Sequence, residues 1–123
     1  MGGNVFFMIH IIAPSRYRIS KRQTQKDVAQ IMQRLRIPSD LSLNIIFVGR
    51  RKMREIANAY KHEDVALPVL AFPYKDVPEE TEKLLGEVFI CYPQVVLLAA
   101  EREKKVDATL LQLLEHGIGN LLK

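Results

Sequence analysis

Leu41-Ser42-Leu43-Asn44-Ile45-Ile46-Phe47-Val48-Gly49-Arg50-Arg51-Lys52-Met53-Arg54-Glu55-Ile56-Ala57-Asn58-Ala59-Tyr60 changes its hydrophobic period once, at the glycine. Up to Val48 the segment is rich in β-branched and aromatic residues and predicts a strand, buried on both faces toward its end. Gly49 turns the chain. Beyond it Met53, Ile56, Ala57 and Tyr60 recur at helical spacing, which predicts a helix from about Arg50 to Tyr60. Moving outward toward the N-terminus, Val5–Ile12 reads as a first strand ended by Ala13-Pro14-Ser15. Ser20 can cap a helix, with Gln23 completing a capping box, and Val28, Ile31, Met32 and Leu35 form its apolar stripe. Arg22, Lys26 and Arg34 fall on its outer side, and Pro38 closes the segment. Toward the C-terminus, Lys61–Asp64 is a polar loop and Leu67–Phe72 a third strand stopped by Pro73. The acidic stretch from Tyr74 to Lys83 reads as a connection with a helical turn, and Gly86–Cys91 as a fourth strand. Helices follow over Gln94–Arg102 and Asp107–Leu122. Strands interleaved with helices, without repeat or linker, argue for one layered domain over residues 1–123, α/β or α+β, with a mostly buried sheet.

The chain has 123 residues, 48% of them hydrophobic, enough for a real core. Its apolar runs are too short to cross a bilayer, so no membrane span is expected. The apolar N-terminal patch has no basic residues before it and no small-residue cleavage site after it, which favours a strand over a signal peptide. A single cysteine, Cys91, excludes an internal disulfide and a zinc site built from several thiolates, and fits a reducing cytoplasm. The net charge of +4 is unevenly spread. Residues 1–62 hold 12 Lys/Arg against 3 Asp/Glu, and residues 63–123 hold 6 against 11. A surface balance of +9 in one half suits a polyanion, although charge runs in general are more often only solvated.

Four residue groups bear on chemistry. His116 and Asn120 stand four apart on the last helix and share one side of it. A His at each position would be the usual helical pair of zinc ligands, but the Asn120 amide oxygen is a weak ligand for zinc. Leu110, Leu114, Gly117, Ile118 and Leu121 form that helix's buried stripe with Leu113 at its edge, so His116 and Asn120 fall on a polar flank with Thr109 and Gln112. A lone His is more often a hydrogen-bonded packing residue than a ligand. Gly117 faces the stripe and allows close packing against a strand, whereas Gly119 faces away. Cys91 ends a buried strand and reads as an inert core thiol. Arg50, Arg51, Lys52 and Arg54 crowd the start of a helix, where positive charge opposes the macrodipole and free N–H groups can hold a phosphate. Aromatic residues are few, so a stacking platform for single-stranded RNA is not evident.

In their order and separation, four segments resemble the YbeY-type ribosomal RNA maturation endoribonucleases. Leu43–Val48 is similar to that family's second strand, and Tyr60-Lys61-His62-Glu63-Asp64 to its Tyr-Arg-x-Lys-Asp loop. Val69-Leu70-Ala71-Phe72-Pro73 is similar to its Val-Leu-Ser-Phe-Pro strand, and Leu85-Gly86-Glu87-Val88-Phe89-Ile90-Cys91 to its Leu-Gly-Asp-Ile-Val-Ile-Cys strand. His116-Gly117 then resembles the opening of the family's His-Gly-x-x-His metal helix. The resemblance runs from about Leu41 to Leu122 and implies an α+β fold, a mixed sheet of about four strands covered by helices. It implies a zinc-dependent hydrolase cutting single-stranded RNA, with His116 as the surviving metal ligand and Lys61 as the phosphate-side cation. The departures fall on the chemical groups. Asn120 occupies the second ligand position, and the third falls beyond Lys123. Lys61 replaces an Arg and loses its planar fork, Ala71 replaces a Ser, and Leu67-Pro68 replaces a polar pair.

Three readings follow. The first is a ribosomal RNA maturation factor acting as a metal-dependent endoribonuclease on small-subunit ribosomal RNA, with catalytic His116 and Lys61. The second is a catalytically silent relative that binds ribosomal RNA or the small ribosomal subunit through Arg50, Arg51, Lys52, Arg54 and Lys61. In that case zinc is absent or weakly held. The third is an α/β domain with an unrelated partner.

Overall fold

The computed structural model describes residues 7–74 and 83–123. Eight elements follow in the order β1 (Met8–Ile12), α1 (Lys21–Arg34), β2 (Leu41–Val48), α2 (Arg50–Lys61), β3 (Val69–Pro73), β4 (Lys83–Cys91), α3 (Tyr92–Glu101) and α4 (Val106–Asn120). The strands form one sheet in the order β1-β2-β4-β3. β1 and β4 run parallel to β2 on its two sides, and β3 is antiparallel to β4 at the edge. This is the mixed α+β sheet that the sequence implied. Its central strand keeps the bounds expected of it, and Leu43, Ile45 and Phe47 are buried on one face while Ser42 and Val48 are buried on the other. The opening residues of the expected first strand, and most of the expected Tyr74–Lys83 connection, lie outside the described residues.

Each face has its own core. Leu43, Ile45, Phe47, Val88 and Ile90 pack with Val28, Ile31 and Met32 of α1 and with Leu113, Leu114 and Ile118 of α4. On the other face Val48, Leu70 and Cys91 pack with Met53, Ile56 and Ala57 of α2. Because α2 is the one described helix on that face, part of the sheet there stays open. Burial of the larger side chains stabilises each layer by roughly 1.5–3 kcal/mol per residue.

Several local expectations are corrected. Ser20 Oγ does accept the Gln23 N–H at 3.1 Å, but the Gln23 side chain turns to Asp27 Oδ1 at 3.0 Å, so the box is half made. Leu35 is a C-cap 38% exposed, because α1 ends one residue before it. Tyr60 is 69% exposed although its ring meets Phe72, because it stands at the mouth of a groove and not under the helix. Lys61 belongs to α2, and the polar loop begins at His62. Strand β3 starts two residues later than expected, and β4 three earlier. Thr109, expected on the polar flank of α4, is fully buried, and Leu110 is only partly so. The turn from α3 to α4 spans residues 102–105, which folds α3 back against the first turns of α4 and covers that flank.

Two glycines set how tightly α4 sits on the sheet. A Cβ at Gly117 would lie 2.8 Å from Val88 Cγ1 and 3.1 Å from Val69 Cγ2. A Cβ at Gly86 would lie 2.5 Å from the Phe72 carbonyl oxygen and 2.7 Å from Leu121 Cδ2. Three of these four distances are too short for a carbon side chain and the 3.1 Å one is tight, so the helix and the strands close together only over hydrogen. The expected close approach at Gly117 is therefore present.

Candidate functional site

Helix α4 presents its flanks differently. Glu115 meets Arg34 of α1 at 2.9 Å, an exposed pair that contributes at most about 1 kcal/mol. His116, one residue and about 100° further round the helix, projects away from α1 and is exposed. Its Nε2 lies 3.2 Å from Asn120 Nδ2. The amide nitrogen can only donate, so the contact is a hydrogen bond in the tautomer whose Nε2 lone pair is free.

A zinc ion of the kind the family implies takes three protein ligands in a hydrolytic centre. The donors here are one imidazole, already engaged, and one amide. Among the described residues no group of three or more His, Cys, Asp or Glu side chains is placed to hold a metal ion. His62 ends α2, on the sheet face opposite α4, and His10 lies on β1, across β2 and β4 from the edge strand. This donor set does not fit a catalytic zinc.

The basic residues gather around the start of α2. Gly49 is its N-cap without a side-chain hydrogen bond, and no acidic residue stands in the first turn. Arg50, Arg51 and Arg54 line a hollow with Glu55, Asn58 and Asp64. Arg16 adds to them from the loop after β1, since a Cβ at Gly49 would sit 3.6 Å from its Nη2. The four expected cations are not equivalent. Arg54 gives both Nε and Nη2 to Asp64 Oδ1, at 3.3 and 3.1 Å, and Lys52 Nζ stands 4.0 Å from Glu55. Arg50 and Arg51 make no ion pair among the described residues. Lys61 lies at the far end of the same helix, and among the described residues no hydrogen bond or ion pair joins it to His116.

Cys91 caps α3 and is buried. Burial pushes its thiol above the usual range, against a smaller opposing pull from the Gln94 backbone N–H and from Arg50. A protonated thiol is a poor nucleophile, so the residue is structural.

A second groove was not expected. Lys52, Ile56 and Tyr60 of α2 face Phe72, Tyr74, Glu87 and Phe89 across an opening of about 450 Å³. The Tyr60 and Phe72 rings meet at 4.9 Å, and Phe72 and Phe89 at 5.7 Å, both edge to face. Counting aromatics along the chain hides this cluster. The signal that finds it is the period-2 placement of Phe72 with Tyr74 and of Glu87 with Phe89, which puts each pair on one sheet face.

A four-stranded mixed sheet, with a His-Gly-x-x-Asn helix packed against its antiparallel edge, defines a small α+β domain. The sequence model of the family described as Endoribonuclease YbeY matches residues 11–122. This chain belongs to the YbeY family. Curated relatives include the endoribonuclease YbeY of Pseudomonas putida (strain W619), 40% identical over 86 residues, covering 68% of this chain and 54% of the relative. That of Thermodesulfovibrio yellowstonii is 33% identical over 85 residues, covering 69% of this chain and 54% of the relative. The chain thus spans about half the length of the curated relatives it matches. The solution structure of a Thermotoga maritima protein superposes with a TM-score of 0.61 at 22% identity, covering 94% of this chain and 73% of the other. That likeness concerns the fold. No helix among the described residues is long and apolar enough to cross a membrane.

Proposed function

We propose that the chain serves ribosomal RNA maturation by binding single-stranded RNA of the small ribosomal subunit, and that residues 1–123 bind it without the metal-dependent cleavage of their family. The observation that carries this reading is the His116–Asn120 pair. The residue at the second ligand position is an amide, which rests 3.2 Å from the imidazole nitrogen and supplies no donor comparable to a second imidazole. Support for RNA as the ligand comes from family membership and from Arg50 and Arg51, which make no ion pair among the described residues, at the N-terminus of α2. A second reading keeps the hydrolase, with His116 as ligand and Lys61 as phosphate-side cation. The retained His116-Gly117 pair and the close seat of α4 on the sheet favour it.

Elemental analysis of protein purified without chelator, paired with incubation on a single-stranded fragment of small-subunit ribosomal RNA with added zinc, separates the two. The expected outcome is zinc well below one per chain and RNA that is bound but uncut. A ratio near one, together with cleavage that Ala at position 116 abolishes, would establish the hydrolase instead.

A further inference from the structure

The open face of the sheet carries a site that neither the metal helix nor the arginine hollow accounts for. Helix α2 covers the rows of Val48, Cys91 and Leu70, and meets the row in which Asn44, Glu87 and Phe72 lie side by side through the Tyr60–Phe72 ring contact. In the groove, Tyr60 and Tyr74 stand 69% and 43% exposed at the two rims, and Phe72 and Phe89 form the floor. The floor is fixed by the core around it. Tyr74 is fixed as well, because its hydroxyl donates to Glu87 Oε1 at 2.6 Å while Asn44 Nδ2 donates to Glu87 Oε2 at 3.2 Å. Lys52, two turns before Tyr60, brings a cation to the same mouth.

We propose that this groove holds one base of a single-stranded RNA, stacked on the Tyr60 and Tyr74 rings, with Lys52 meeting the adjoining phosphate. The inference rests on the RNA-binding reading above and adds the subsite. Its chemistry is that of a flat aromatic ligand carrying an anion. An exposed aromatic ring offers a π-face to an incoming base, and every base has one. The volume falls within the roughly 300–1,000 Å³ of ordinary ligand pockets. Glu87 keeps free lone pairs on both oxygens and can accept from a base amino or imino group. A ring already held by a hydrogen bond loses little freedom when a base settles on it. The surrounding charge agrees, since α2, which leads to the groove, carries five of the twelve Lys/Arg of residues 1–62 against one Glu.

The test uses a short RNA carrying 2-aminopurine, the same strand with an abasic site in place of that base, and the parent, Tyr60→Ala and Tyr60→Phe proteins over a salt series. Tyr60 is exposed, so its replacement should leave the fold intact. Tyr60→Ala should weaken binding by about 5- to 150-fold, the range produced by losing one base–aromatic stack. It should leave the salt slope unchanged, and Tyr60→Phe should bind like the parent. The abasic strand should bind parent and Tyr60→Ala alike. Equal affinity of Tyr60→Ala and parent for the intact strand overturns the groove alone and points to another occupant. A parent that binds no RNA overturns both the groove and the RNA-binding reading.

Discussion

Tyr74 and Glu87 are thirteen residues apart in sequence and share a 2.6 Å hydrogen bond. That bond is the first cause, with burial second and the Glu87 charge third, by which the Tyr74 hydroxyl is pushed up to about 12. A raised folded-state value means that the contribution to stability is complete below the ordinary phenol range near 10. It is lost as pH rises through about 12, the window between the unfolded and folded values. Ultraviolet titration should therefore show the Tyr74 hydroxyl ionising near 12, and Glu87→Gln should bring it down toward the ordinary phenol range. Absence of any phenol ionisation above that range would mean that the bond does not persist in solution. The pair could not be read from sequence, because it depends on residue 74 lying beside the β3–β4 register. His116 and Asn120 could be read, since i and i+4 on a helix need no tertiary knowledge. What spacing alone could not give was the amide nitrogen resting on the imidazole.

At the scale of elements, α4 holds two glycines that predict opposite outcomes. Gly117→Ala forces a methyl group to within 3.1 Å of both Val88 and Val69, so the helix must lift from the sheet, and the loss should be about 1–3 kcal/mol. A Cβ at Gly119 meets nothing within 4 Å, so Gly119→Ala removes a helix-interior glycine at no steric cost and should stabilise by up to about 1 kcal/mol. Chemical denaturation of the two variants measures both. Destabilisation by Gly119→Ala would show that the helix is wrongly seated. The buried stripe of α4 was legible because apolar residues recur at helical spacing. Thr109 misled the wheel because burial at that end is imposed by α3, a neighbour that periodicity within α4 does not report. Leu35 and Tyr60 misled it for a related reason: a period marks a face, and the end of a helix can leave that face uncovered.

For the molecule as a whole, the sheet separates two kinds of surface. One face is closed by α1 and α4, and the His116–Asn120 pair stands at its outer flank. The other is covered by α2 alone among the described helices, with arginines at that helix's start and an aromatic groove along its side. The charge asymmetry of the sequence predicts a basic surface, and the fold decides which of its cations are available. Arg54 is tied through two nitrogens to Asp64, whereas Arg50 and Arg51 make no ion pair among the described residues. Each phosphate neutralised on a single strand contributes about 0.7 to the slope of log affinity against log salt. Replacing Arg50 and Arg51 together by Ala should thus weaken RNA binding and flatten that slope by about 1.4. Adding Arg54→Ala should flatten it by less than a further 0.7 or so, because its guanidinium must leave Asp64 before it can serve a phosphate. Fluorescence titrations from low to moderate salt give all three slopes. If the double variant keeps the parent's slope, the start of α2 is only a solvated face. If Arg54→Ala alone accounts for the whole change, the ion pair to Asp64 opens on binding and that arginine is the principal phosphate contact.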